Sequence, residues 1–254
     1  MNMIFGNLNN EGLEEAEDRL GGGSLTVDTD GYDATIKVAY AGKSAGGAQN
    51  VTFIFDLGGR EYRETIYVTN KKGENFFLNK DDKTKKVPLP GFTTVNDICL
   101  VATGDPLWEQ VTEDKMVKVY DFDENKELPK SVPVLTNLLG KPVTLAIVKQ
   151  IVDKSKKDDS GNYVPTGETR EENFIDKVFA TETKLTVVEA TKGVEATFYA
   201  AWVEKNKGQI RDKSSKDAGS GQSGRPGRSA GGPPQANGGT AAGKPKSLFG
   251  NKSA

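Results

Sequence analysis

Three consecutive segments alternate with a period of two and are separated by glycine turns, which commits the first third of the chain to a meandering antiparallel sheet. In GYDATIKVAY (residues 31–40), Tyr32, Ala34, Ile36, Val38 and Tyr40 share one face, and Thr35 and Lys37 the other. In QNVTFIFDL (49–57), Val51, Phe53, Phe55 and Leu57 alternate with Thr52, Ile54 and Asp56. Gly58 and Gly59 give a hairpin signal, and REYRETIYVTN (60–70) follows as a third strand. A glycine-rich loop, 42–47, joins the first two strands.

The later pattern is sparser. Residues 92–104 carry Phe92, Val95, Ile98, Cys99 and Ala102 at helical spacing, between Pro90-Gly91 and Gly104. Residues 116–133 read as an inserted hairpin, and 134–139 as one or two helical turns. A long strand is expected over 141–154, a turn at DDSGN, another strand over 172–180, and a last helix over 194–208. This order predicts a mainly β protein of OB-fold type: a five-stranded barrel with one capping helix, the inserted hairpin and a C-terminal helix. A β-sandwich would leave the helix at 92–104 without a place. The predicted division is an N-terminal arm with a short acidic helix (1–23, helix at 11–20), an OB-fold domain (24–210) and a disordered tail (211–254).

Composition limits the chemistry. The 254 residues include no histidine and one cysteine, Cys99. That removes the commonest general base, the usual zinc ligand and any internal disulfide. No enzymatic activity and no cofactor are expected. No apolar run approaches a membrane span, and the acidic N-terminus lacks the pattern of a secretory signal. The net charge of −2 conceals an asymmetry. Residues 211–254 hold eight Lys/Arg and two Asp/Glu, a charge of +6, which leaves −8 on the rest. That tail is rich in Gly, Pro, Ser and Ala and cannot bury enough surface to offset its ordering entropy. A basic tail on an acidic body points to a polyanion partner.

Three short motifs suggest other chemistries and fail on spacing. Gly42-Lys43-Ser44 lacks the earlier glycine of a phosphate loop, whose position is Lys37. DFDENKE (121–127) has Lys126 where a calcium loop needs glycine, and Val132 where it needs glutamate. GETREEN (167–173) gathers Glu168, Glu171 and Glu172 around Arg170 and reads as an ion-paired loop. The stretch RETIYVTNKKGENFFLNK (63–80) is different. With Tyr62, Glu64, Ile66 and Val68 on one face, Arg63, Thr65, Tyr67 and Thr69 fall on the other. A ring, an arginine and hydroxyls suit a nucleic-acid strand better than a core, and Lys71, Lys72, Asn75, Phe76, Phe77 and Lys80 continue the theme. Lys37, Tyr40 and Lys43, from the first strand and its loop, complete the candidate surface. Lys149, Lys154 and Arg170 join it on charge alone.

The blocks YDATIKVAYAGKSAGGA, EYRETIYVTNKKGENFF, LPGFTTVNDICLVATG and VPTGETREEN…IDKVF resemble, in order and spacing, the single-stranded DNA-binding proteins of tailed bacteriophages, particularly the podovirus type. The resemblance runs from about residue 20 to residue 208. It implies an OB-fold that coats and protects unwound DNA during replication and recombination in the cytoplasm of an infected bacterium. It assigns DNA contact to Arg63, Tyr67, Lys71, Lys72, Asn75 and Phe76. An alternative role is a transcription cofactor that binds single strands and recruits an RNA polymerase. Many such proteins end in an acidic tail, whereas this one has no carboxylate side chain after Asp217. Its end, KPKSLFG (244–250), is similar to the close of bacterial sliding-clamp-binding peptides, which makes Leu248 and Phe249 candidate anchors for a host or phage replication or transcription protein.

Overall fold

The computed structural model describes residues 26–121, 124, 126–157 and 163–214. Three strands, β1 (Asp30–Lys43), β2 (Gln49–Asp56) and β3 (Glu61–Tyr67), form the expected antiparallel meander. The alternation in β1 does not run through unbroken. A register shift between Ile36 and Val38 turns the strand over. Before it, Ala34 and Ile36 face the main core; after it Ala39 takes that place, and Val38 and Tyr40 point to the opposite face. The third strand also stops at Tyr67 rather than Asn70, because Asn70 opens a tight turn.

A short hairpin, β4 (Phe76–Leu78) and β5 (Lys86–Pro88), precedes the helix α1 (Pro90–Thr103). Proline at the start of α1 presets the backbone, and Gly104 ends it in the left-handed conformation with its N–H on the Leu100 carbonyl. Val95, Ile98 and Cys99 are fully buried on its inner face, as their spacing predicts. The inserted hairpin is longer than expected: β6 (Thr112–Asp121) and β7 (Lys126–Leu135). It joins the sheet through the pairing of Tyr40 with Val134, so only residues 136–138 remain as a helical turn. The long hairpin of β8 (Pro142–Lys157) and β9 (Tyr163–Phe179) follows.

The expected last helix over 194–208 is α3 (Phe198–Asn206), and a short helix that was not expected, α2 (Val187–Lys192), precedes it. Gly193, at φ 65°, ends α2. One carboxylate links the pair: Glu189 accepts from the Thr186 N–H at α2 and from the Thr197 and Phe198 N–H groups at α3. A last strand, β10 (Ile210–Asp212), lies parallel to β8. Residues 211 and 212 therefore belong to the sheet and not to the tail. The acidic helix at 11–20, the turn at 158–162, most of the remaining tail and the anchors Leu248 and Phe249 lie outside the described residues.

The result is a mainly β fold whose eight-stranded sheet runs β3, β2, β1, β8, with β9 and β10 on β8 and the β6–β7 ribbon on β1. It is not the closed five-stranded barrel that was expected. Among the described residues no backbone ladder joins β3 to β9. Side chains and a short strap bridge that seam instead. The Glu64 carboxylate accepts the Ile175 N–H (3.0 Å) and the Tyr62 hydroxyl (2.6 Å). Val27, buried in the main core, exchanges two hydrogen bonds with the Asn173 side chain, and Arg60 donates to the Thr26 carbonyl. No described helix is long and apolar enough to cross a membrane.

Burial pushes the Glu64 carboxyl up to about 7, and Glu172 adds to the rise, against the pull of the bonds from Tyr62 and Ile175. The folded protein thus holds this proton at pH values where the unfolded chain has released it. Its share of stability is intact below about pH 4.5 and falls as the pH climbs towards 7. Glu64→Gln should remove that slope. The difference in unfolding free energy between variant and wild type, from urea denaturation, should shift in the variant's favour from pH 5 to pH 8 by on the order of 2 kcal/mol. Asp97, pushed up to about 6 by burial, adds a slope of the same sign to both proteins, so it cancels in the comparison.

Candidate nucleic-acid interface

The end of β3 carries the candidate surface. Tyr62, Ile66 and Val68 enter the core while Tyr67, between the last two, is half exposed at 50%. The strand phase read from the sequence therefore holds at its most important position. Beyond Tyr67 the chain turns at 70–74. The Asn70 side chain accepts from the N–H groups of Lys72 (2.9 Å) and Glu74 (3.0 Å), and Gly73 takes the left-handed conformation. That bonded turn presents Lys71 and Lys72 to solvent. The 44–47 loop packs against it: a Cβ on Gly46 would lie 3.3 Å from the Lys71 side chain, and one on Gly47 3.2 Å from the Lys71 carbonyl. Lys43 leads into this loop, which gathers three lysines at one end of the meander.

The β4–β5 hairpin was not foreseen, although Phe-Phe-Leu and Val87 flank a run of turn residues. Asn79 and Asp82 organise that turn by accepting backbone N–H groups. Phe76 is half-buried beneath Lys86, whose ammonium sits 4.3 Å from the ring centre. Phe77, its neighbour, is exposed. The Asn75 carbonyl accepts the Leu89 N–H at 2.9 Å and so ties the hairpin to the start of α1. Gly91 then lies so close to β3 that a Cβ there would be 2.2 Å from the Tyr67 carbonyl oxygen. No side chain fits in that space, so glycine is required for α1 to dock at the end of β3.

A cleft of about 520 Å³ opens beside this junction. Ala41, Val51, Val68 and Leu135 give it apolar walls, and Gln49, Asn50 and Gln110 bring amide groups to it. The short turn of residues 107–109 is anchored to α1 by the Leu107 N–H on the Asn96 side chain (3.0 Å).

The remaining candidates divide by their partners. Tyr40 is 8% exposed and packs with Val132 and Val134 under the β6–β7 ribbon, so it cannot stack a base; the bulge in β1 put it there. Lys37 pairs with Glu61 at 3.8 Å, and Arg63 with Glu127 at 2.7 Å and Glu61 at 3.9 Å. Lys149 is mostly covered and bound to Glu171 (2.9 Å), Lys154 to Glu168 (3.0 Å) and Arg170 to Glu172 (3.1 Å). The glutamate-rich segment is thus ion-paired as expected, but it is strand β9 rather than a loop. Lys43, Lys71 and Lys72 have no ion pair among the described residues. The structure brings Lys43, Tyr67, Lys71, Lys72, Asn75, Phe76 and Phe77 into one region and leaves Lys149, Lys154 and Arg170 on the β8–β9 hairpin.

Little here suits covalent or metal chemistry. Burial pushes the Cys99 thiol up to about 12, so it stays protonated. Among the described residues no group of three acidic or cysteine side chains could hold a metal ion. Comparison with protein-family models and with curated proteins finds no match.

Two tyrosines of β3, Tyr62 and Tyr67, lie on opposite faces of the strand and provide a test. Tyr62→Ala should cost about 3 kcal/mol or more, because it empties a core position and strips Glu64 of a donor. Tyr67→Ala should stay within about 0.5 kcal/mol of wild type. Urea denaturation of both variants checks the pair.

Proposed function

We propose that the protein binds and protects single-stranded DNA without sequence preference. The observation that carries this reading is the half-exposed Tyr67 ring at the strand end, flanked by Lys43, Lys71 and Lys72, which have no ion pair among the described residues. A ring can stack on any base, and mobile ammonium groups can neutralise phosphates without fixing a sequence. Phe76 and Phe77 extend the aromatic surface. The amide side chains in the neighbouring cleft are too few to read a run of bases.

The topology supports the same reading. Three meandering strands, a helix and two further long strands, in the spatial order β3, β2, β1, β8, β9, are compatible with an OB-fold left open at one seam. In that fold the middle-strand face and adjacent loops commonly bind oligonucleotides. Here the middle-strand face is partly covered by the β6–β7 ribbon, which shifts the accessible surface to the loop end. The resemblance to bacteriophage single-stranded DNA-binding proteins agrees with a coating role in replication and recombination.

Fluorescence anisotropy with labelled oligo-dT, and with a duplex of equal length, tests the reading over a salt series. Affinity should favour the single strand and fall with salt at about −0.7 per phosphate neutralised. Lys71→Ala combined with Lys72→Ala should weaken binding and reduce the slope by about 1.4. Lys154→Ala should change neither, since that ammonium is already matched by Glu168. Equal affinity for duplex, or a response flat in salt, would overturn the proposal.

A further inference from the structure

The most exposed large apolar side chain among the described residues lies on a three-residue turn. Trp108 is 68% exposed, on the turn of residues 107–109. Its ring lies nearly parallel to that of Phe92, at 14° and 6.4 Å between centres. Phe92 is in the first turn of α1, next to the Gly91 that touches the Tyr67 carbonyl. Leu107 and Gln110, on either side of Trp108 in sequence, line the cleft that Lys43 and Asn50 also border. Successive contacts therefore link the end of β3 at Tyr67, Gly91-Phe92, Trp108 and, through Leu107, the cleft.

We propose that Trp108, backed by Phe92, is a second base-stacking platform, which extends the single-strand path from Tyr67 across the start of α1 to the cleft. The inference rests on the single-strand reading of the Tyr67 surface. An indole left in water has a large apolar face to cover, and a base is a flat ring of matching size. Its position is held rather than loose, because the Asn96 side chain pins the Leu107 N–H and the Gln110 amide donates to Thr103 (3.0 Å) and to the Asp105 carbonyl (2.9 Å). A platform fixed before binding loses little entropy when a base arrives. Asp105 and Glu109 are exposed beside it and repel phosphate. Trp108 thus meets the bases, while the sugar–phosphate chain passes on the Lys43 side of the cleft. A protein partner on the same ring is the competing occupant, and it would leave DNA affinity untouched by any change at Trp108.

The chain provides its own reporter. It has two tryptophans, and the other, Trp202, is 6% exposed with its indole N–H bonded to Asp176 at 2.8 Å. Addition of oligo-dT to the full chain should quench tryptophan emission, and Trp108→Phe should abolish the quenching while keeping most of the affinity measured by anisotropy. Trp108→Ala should weaken binding roughly tenfold, within the range for loss of one stacked base. Quenching that persists in Trp108→Phe, or wild-type affinity in Trp108→Ala when Tyr67→Ala is weakened, would overturn this proposal and leave the single-strand reading standing. Failure of the wild-type chain to bind oligo-dT by anisotropy would overturn both.

Discussion

Every layer of the fold depends on β1 serving two faces at once. The strand pairs with β2 along most of its length, with β8 through residues 30–35, and with β7 at Tyr40. A regular strand would give all its apolar side chains to one side. The shift between Ile36 and Val38 divides them instead: Ala34, Ile36 and Ala39 go to the main core, and Val38 and Tyr40 to the smaller cluster beneath the β6–β7 ribbon. Without that irregularity the ribbon would find no apolar surface to cover. The same turn of the strand removes Tyr40 from solvent and leaves the loop end as the open part of the meander.

Much of this was legible because period-two and period-3.6 patterns are local. The three first strands, α1 with Val95, Ile98 and Cys99, and the exposure of Tyr67 all follow from alternation and its punctuation. What failed was set by tertiary partners. Nothing in GYDATIKVAY marks where a bulge falls, because the shift is fixed by the register with β2 and β7. The pairing states of Arg63 and Lys149 were equally hidden, since Glu127 and Glu171 are remote from them in sequence. The helix α2, ended by Gly193, went unread because six residues are too few to show a helical period. Trp108 gave no periodic signal because it lies on a turn of three residues.

The open seam has a physical cause in its edge groups. Closing a barrel would require β3 and β9 to exchange backbone hydrogen bonds over several residues. Instead a buried carboxylate reaches across and accepts a single N–H from Ile175, and Asn173 is occupied with the strap at Val27. Side-chain bridges satisfy only the groups they touch, so the seam is held at points rather than along a ladder. The core that excludes water pushes the Glu64 carboxyl towards neutrality, and the two bonds it accepts pull the other way.

Under the proposed single-strand binding, an acidic body must have its charges sorted in space rather than balanced in sum. Along the β8–β9 hairpin the acids are matched: Glu168, Glu171 and Glu172 each hold a basic partner from the same pair of strands. Glu127 does the same for Arg63 on the covered face. Pairs at 3–4 Å present weak fields beyond about a Debye length, roughly 8 Å at physiological salt, so these regions neither attract nor strongly repel DNA. Lys71 and Lys72 escape this matching because the Asn70 turn holds them outward from the sheet, and Glu74, the nearest acid in sequence, is engaged by the Asn70 amide at 2.8 Å. Unmatched ammonium groups around an exposed ring give the loop end a local attraction for phosphate. The local sign of the field, and not the net charge of −2, governs where a phosphate chain can lie.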